Sequence, residues 1–209
     1  MIMIGRIFIQ AVAVTLGMAV LFQVGCAGRS KSARFYVLSP VTGPELAMQN
    51  TSGGSSDLAI GISPVTLPKY LRKPQMVTRT GSNELHLAEY DRWAGKIEED
   101  IGRVMAENLS HMLATKRVFS YPAMEGIALD YLVEIDISRF DGRLGGDIEL
   151  IARWVLFDGG GKTVYGVKTT HIIEPTRGGG YADMAAAQSR ALAAFSRELA
   201  DAIKELAAG

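Results

Sequence analysis

The chain is poor in several kinds of residue, and each shortage excludes something. Among 209 residues there is one cysteine, Cys26, so neither an internal disulfide nor a cysteine-based zinc site can form, and the fold has to rest on its core. Neither charge is in surplus: 22 Lys and Arg face 22 Asp and Glu. A dedicated nucleic-acid binder needs excess positive charge to displace phosphate counterions, so no nucleic-acid partner is expected. Only three histidines are present, His86, His111 and His171, and their spacing suits no metal site. The G-x-S-x-G elbow, the H-E-x-x-H helix and the dinucleotide fingerprint are all missing. Glycine triplets at 159–161 and 178–180 lack the lysine and hydroxyl of a phosphate loop. The sequence therefore offers no catalytic set, no metal ligands and no cofactor site.

What is present begins with an apolar run. Between Arg6 and Arg29 lie about 22 uncharged residues, enough to span a bilayer. A retained membrane anchor and a secretory signal both fit this stretch. Cys26 ends the run, follows Val24 and Gly25, and precedes a small, polar segment. That layout resembles a bacterial lipobox, in which the cysteine is lipidated and becomes the mature N-terminus. Gln23 stands where the pattern usually has Leu. The position of the only cysteine favours the lipobox over an uncleaved anchor with an inert thiol. The resemblance implies residues 1–25 as signal peptide, 26–34 as lipidated cysteine and tether, and 35–209 as the periplasmic domain. It also implies diacylglycerol and an acyl chain on Cys26. Ala27 is not the Asp that retains lipoproteins of enteric bacteria on the inner membrane, which points to the outer membrane. Removing residues 1–25 takes away one charge, Arg6, so the mature chain stays near neutral.

Periodicity gives the order of elements. RFYVLSP at 34–40 is β-prone and stops at Pro40; residues 41–57 are polar and read as a loop. Strands are expected at 58–68, 74–81 and 83–90, with Leu85 and Leu87 on the buried face of the last. Ile97, Ile101, Val104, Met105, Met112 and Leu113 recur at three- and four-residue spacing. They predict a helix of about 21 residues, roughly 32 Å long, reaching Lys116. Glu98, Glu99 and Asp100 near its start suit the helix dipole, which explains them more simply than acid–base chemistry does. A short strand at 118–122 follows, then an alternating strand at 129–142. A hairpin at 147–175 turns through Asp158–Lys162. A second helix is expected from about Asp183 to Leu206, with Leu192, Phe195, Leu199, Ile203 and Leu206 as its apolar stripe. The fold class is α/β: a mixed sheet flanked by two long helices, a single-domain sandwich after an N-terminal signal segment.

Tyr90-Asp91-Arg92-Trp93 sits at the junction between a strand and the first helix. Trp and Arg dominate interface hot spots, so this segment is a candidate partner motif. Equally, Trp93 can plug the helix against the sheet. Trp154, in mid-strand, is expected in the core.

Several motifs, taken in order, resemble the PqiC-type lipoproteins. These are auxiliary components of ABC transport systems built around MCE-domain proteins. The motifs are Phe35-Tyr36-Val37-Leu38-Ser39-Pro40 after the cysteine, Leu67-Pro68, Tyr70-Leu71, Pro74-Gln75 leading to Val77 and Arg79, and Asn83-Glu84-Leu85. Tyr90-Asp91-x-Trp93, Asn108-Leu109, Phe140-Asp141, and Trp154 with Leu156 and Asp158 complete them. The resemblance spans essentially the whole mature chain. It implies a non-enzymatic lipoprotein on the periplasmic face of the outer membrane, partnered by an MCE-domain membrane protein. It further implies a role in lipid transport and envelope integrity, and a homo-oligomer that could form a ring. Two alternatives stay open at this point: a structural lipoprotein that assembles another outer-membrane machine, and a lipid-anchored periplasmic enzyme.

Overall fold

The computed structural model describes residues 31–40 and 57–208. The chain falls into two units, Met1–Ser32 and Ala33–Gly209, and every element named below belongs to the second. The expected signal segment (1–25), Cys26 and nearly all of the loop expected at 41–57 lie outside the described residues.

The order is β1 (Arg34–Tyr36), β2 (Ile60–Ile62), β3 (Gln75–Arg79), β4 (Leu85–Trp93), α1 (Ile97–Met112), β5 (Val118–Ser120), β6 (Tyr131–Gly142), β7 (Asp147–Asp158), β8 (Val164–Pro175) and α2 (Tyr181–Ala208). The α/β class and both helices agree with the sequence reading. The strands, expected in one sheet, are divided between two. A three-stranded sheet has the order β1-β4-β3, with β1 parallel and β3 antiparallel to β4. A five-stranded sheet has the order β5-β2-β6-β7-β8. In it β2 runs parallel to both neighbours, while β6, β7 and β8 form an antiparallel meander.

Alternation along β6 decides which sheet face is buried. Val133, Ile135 and Ile137 are buried, while Glu134, Asp136 and Ser138 are exposed. The buried face continues through Ala152, Trp154 and Leu156 of β7. The apolar stripes of α1 and α2 join it in a single core, in which Ile101, Met105, Leu109, Phe195 and Trp154 are fully or almost fully buried. Alanines 187, 191 and 200 of α2 are buried too, and their small size permits close approach. Between the helices the Asn108 side-chain amide donates to the Ser196 hydroxyl at 3.2 Å, deep inside. Thr66 ties the 63–74 connection to β6: its N–H donates to Ile135 and its carbonyl accepts from Ile137.

Three expectations need correction. Leu87 is 41 % exposed, and Ala88, Asp91 and Trp93 turn inward instead. The reason is an irregularity in the β3–β4 ladder: Gln75 pairs with Arg92 but Val77 with Leu87, so β4 carries extra residues there. A bulge of this kind resets the period-two alternation. The first helix ends at Met112, giving 16 residues and about 24 Å. Ala114 adopts a left-handed conformation (φ 50°), which terminates the helix and directs Lys116 and Arg117 elsewhere. On α2, Leu206 is 38 % exposed because the last turn runs past the core.

The β7–β8 turn behaves as its residues suggest. The Asp158 carboxylate accepts from the Lys162 and Thr163 amides at 2.6 and 2.8 Å, and these bonds hold its pKa below the ordinary carboxylate value. Gly161 takes φ +68°. A Cβ at Gly159 would lie 1.7 Å from the Leu129 carbonyl oxygen, so only glycine fits there.

Candidate functional site

Two polar assemblies stand out against this apolar framework, and both are built from residues distant in sequence. The first fastens residues 34–39. β1 lies along the end of β4 in parallel register, Arg34 opposite Asp91, Phe35 opposite Arg92 and Tyr36 opposite Trp93. Asp91 is 5 % exposed. Its carboxylate receives the Arg34 guanidinium through Nε at 2.8 Å and Nη2 at 3.0 Å, and the Tyr36 hydroxyl at 2.7 Å. Burial pushes the Asp91 pKa up. The Arg34 and Tyr36 hydrogen bonds, with the Arg34 charge, outweigh burial and hold the carboxyl below its ordinary value. The Tyr36 phenol moves the other way, raised by burial and then by the Asp91 carboxylate.

The fastening continues past the strand. Leu38 is buried, its N–H donates to the Asp100 carboxylate at 2.7 Å, and its carbonyl accepts from Arg103 Nη2 at 3.0 Å. The Ser39 N–H donates to the Ser189 hydroxyl at 3.1 Å. Residues 34–39 are thus held by β4, α1 and α2 together. Asp100, read from sequence as a helix-dipole charge, has this second task.

The second assembly joins the two sheets. Asp141, at the end of β6, has no exposed surface. Arg79 of β3 grips it with Nε to Oδ1 at 2.9 Å and Nη2 to Oδ2 at 3.1 Å. The Tyr70 hydroxyl donates to Oδ2 at 2.7 Å, and Arg139 Nε reaches Oδ1 at 3.3 Å. Burial pushes the Asp141 carboxyl up, but these donors outweigh it and leave the pKa below the ordinary value. Tyr70 is pushed up to about 12 by burial and then by the Asp141 carboxylate. Beside this network is an open cleft of about 430 Å³ lined by Arg79, Ser82, Arg139, Arg143, Asp147 and Glu149. Three arginines and two carboxylates line it, but Arg79 and Arg139 already bind Asp141 and Glu149. The cleft is therefore not a ready anion site.

The four residues singled out from sequence do not converge on a ligand. Asp91 and Trp93 are buried, Asp91 in the fastening and Trp93 in the core at 6 % exposed; Tyr90 and Arg92 are half-buried. Arg92 Nε donates to the Glu89 carbonyl at 3.3 Å. His86 and His111 are exposed, on β4 and α1, and His171 approaches Glu149 at 3.6 Å. Among the described residues no group of three or more His, Cys, Asp and Glu is placed to hold a metal. Also among them, no helix is long and apolar enough to cross a membrane. Trp154 is in the core as expected, its indole N–H donating to Thr170 Oγ1 at 3.0 Å and Lys168 lying 5.7 Å from its ring. Individual residues of the second assembly were visible in sequence, as the Tyr70, Arg79 and Asp141 motifs. Their convergence was not, because a separation of 62 residues between Arg79 and Asp141 carries no periodic signal.

The model of the ABC-type transport auxiliary lipoprotein components matches residues 36–200. The chain belongs to this family. Its match begins inside β1 and ends in α2, so it takes in the whole of the second assembly and all of the first except Arg34. This auxiliary lipoprotein is 27 % identical over 138 residues to the intermembrane transport lipoprotein PqiC of Escherichia coli (strain K12), covering 66 % of this chain and 70 % of that one. The PqiC of Shigella flexneri matches to the same extent. Among solved structures, protein XCC0632 from Xanthomonas campestris superposes with a TM-score of 0.66 at 19 % identity, over 85 % of this chain and all of that one. An uncharacterized protein superposes with a TM-score of 0.67 at 20 % identity, over 83 % and 99 %. These two establish that the fold is shared. The PqiC-type resemblance read from the motifs is borne out at the level of the family.

Proposed function

We propose that this auxiliary lipoprotein is lipidated on Cys26, anchored in the outer membrane, and projects its domain into the periplasm. There it serves an MCE-type ABC system that moves lipids between membranes and maintains the envelope. The observation that carries the reading is the family match over residues 36–200, which starts just after the lipobox-like segment. The fastening of residues 34–39 supports it, because an anchor needs a firm point of attachment on the body. One acyl chain holds a protein only weakly, and several together give stable anchoring. The intermembrane transport named for the Escherichia coli relative supports the transport step. The partner in this reading is an MCE-domain membrane protein, and the body associates with copies of itself. No catalytic residue is assigned, and the two polar assemblies are structural.

Cell fractionation combined with mass spectrometry of the N-terminal peptide tests the anchor. A diacylglycerol-modified, acylated Cys26 in the outer-membrane fraction is the expected result; an unmodified Cys26 refutes it. Crosslinking in vivo should capture an MCE-domain protein. Consistent failure to do so, with intact anchoring, favours a structural lipoprotein of another outer-membrane machine.

A further inference from the structure

We propose that the outer face of the segment 35–37, formed by Phe35 of β1 and the following Val37 with Arg92 beside them, rests on the lipid surface to which the chain is anchored. The contact rests on the lipid anchor proposed at Cys26. Phe35 is 65 % and Val37 57 % exposed, the two most exposed large hydrophobic side chains among the described residues, with Ile173 level with Val37. They are two residues apart on an extended segment and so point to the same side. Phe35 pairs with Arg92 across the parallel ladder, which puts the two residues side by side on the same sheet face. Arg92 forms no ion pair with a carboxylate among the described residues, so its charge is available to an anionic headgroup. An aromatic ring, an aliphatic side chain and a cation on one face form the composition of an interfacial contact. β1 is also an edge strand, and an exposed apolar edge invites aggregation unless something covers it.

Chain length identifies what covers it. Seven residues separate Cys26 from Arg34, and the eight steps between them reach no more than about 29 Å when fully extended. A compact body the length of Ala33–Gly209 is about 40 Å across. The reach is shorter than the body, so the end bearing β1 stays near the bilayer. The Asp91 fastening and the buried Leu38 on either side keep the strand from swinging away.

The test reconstitutes the full lipoprotein, matured from its own leader, into phosphatidylethanolamine–phosphatidylglycerol vesicles with or without brominated acyl chains. Native Trp93 and Trp154 are buried and set the background. Phe35→Trp, and independently Val37→Trp, should lose at least half of the added emission in brominated vesicles. Val164→Trp, at a 52 % exposed position on β8, should keep its emission. Equal quenching at 35 and 164, or none at either 35 or 37, overturns the inference. Blue-shifted but unquenched emission from Phe35→Trp also overturns it, and assigns the face to a second copy of the chain. Protein that fails to float with the vesicles and carries an unmodified Cys26 refutes the anchor instead. Protein that floats but is unquenched refutes only this contact.

Discussion

Replacing Asp141 with Asn tests whether the two sheets are held together as described. In the native protein the fully buried carboxylate accepts four hydrogen bonds: two from Arg79, one from Tyr70 and one from Arg139. The Arg79 side chain is itself only 19 % exposed. Asn preserves size but removes the charge, and turns an N–H₂ toward groups of which only the Tyr70 hydroxyl can accept. Removing one partner of a buried ion pair costs about 3–5 kcal/mol, because the other charge remains without compensation. A domain of this length loses about 2–4 °C of Tm per kcal/mol, so the expected fall is roughly 6–20 °C. That is a large share of a total stability of about 5–15 kcal/mol. Thermal unfolding followed by circular dichroism at pH 7 measures it. The pH dependence adds an independent check. The folded-state pKa of Asp141 lies below its ordinary value, so the native advantage is complete above the unfolded value near 4. It shrinks as pH falls from there through the folded value, since the unfolded chain binds the proton first. The gap between native protein and Asp141→Asn should therefore narrow below about pH 4. A fall of less than about 2 °C at pH 7, or a gap that widens with acid, refutes the assignment.

Other outcomes follow from single features. Asp91→Asn should release β1 without unfolding the body: amide hydrogen exchange at Ala94, which donates to the Tyr36 carbonyl, should accelerate at least tenfold while that of the β6–β7 ladder stays unchanged. Gly159→Ala should destabilise by about 1–3 kcal/mol in urea unfolding, since its Cβ has no room beside the Leu129 carbonyl. Ala114→Gly should stabilise by about 0.5–1 kcal/mol in the same assay, because relief of the left-handed strain exceeds the added freedom of the unfolded chain. Trp93→Ala should cost about 3–5 kcal/mol in thermal unfolding if Trp93 acts as core, and near-native stability with weakened partner capture would revive the interface reading.

By itself the sequence determined what is local. Helical spacing from Ile97 to Met112 and from Leu192 to Ile203, alternation along β6, and the Asp158–Lys162 turn each follow from a few neighbouring residues, and they emerge in the structure as read. The lipobox-like run and its single cysteine are local in the same sense. Tertiary structure decided the rest. Whether eight strands form one sheet or two depends on which edges meet, and no window of sequence records that. The bulge opposite Gln75 reversed the expected face of Leu87, because the partner strand's register sets the alternation. Ala114 stopped the first helix although its residue type favours helix. Arg79 with Asp141, and Arg34 with Asp91, are ordinary charges in sequence. They became the fastenings of the molecule only where the fold buried each carboxylate and brought an arginine against it, since a buried charge without such a partner is too costly to keep.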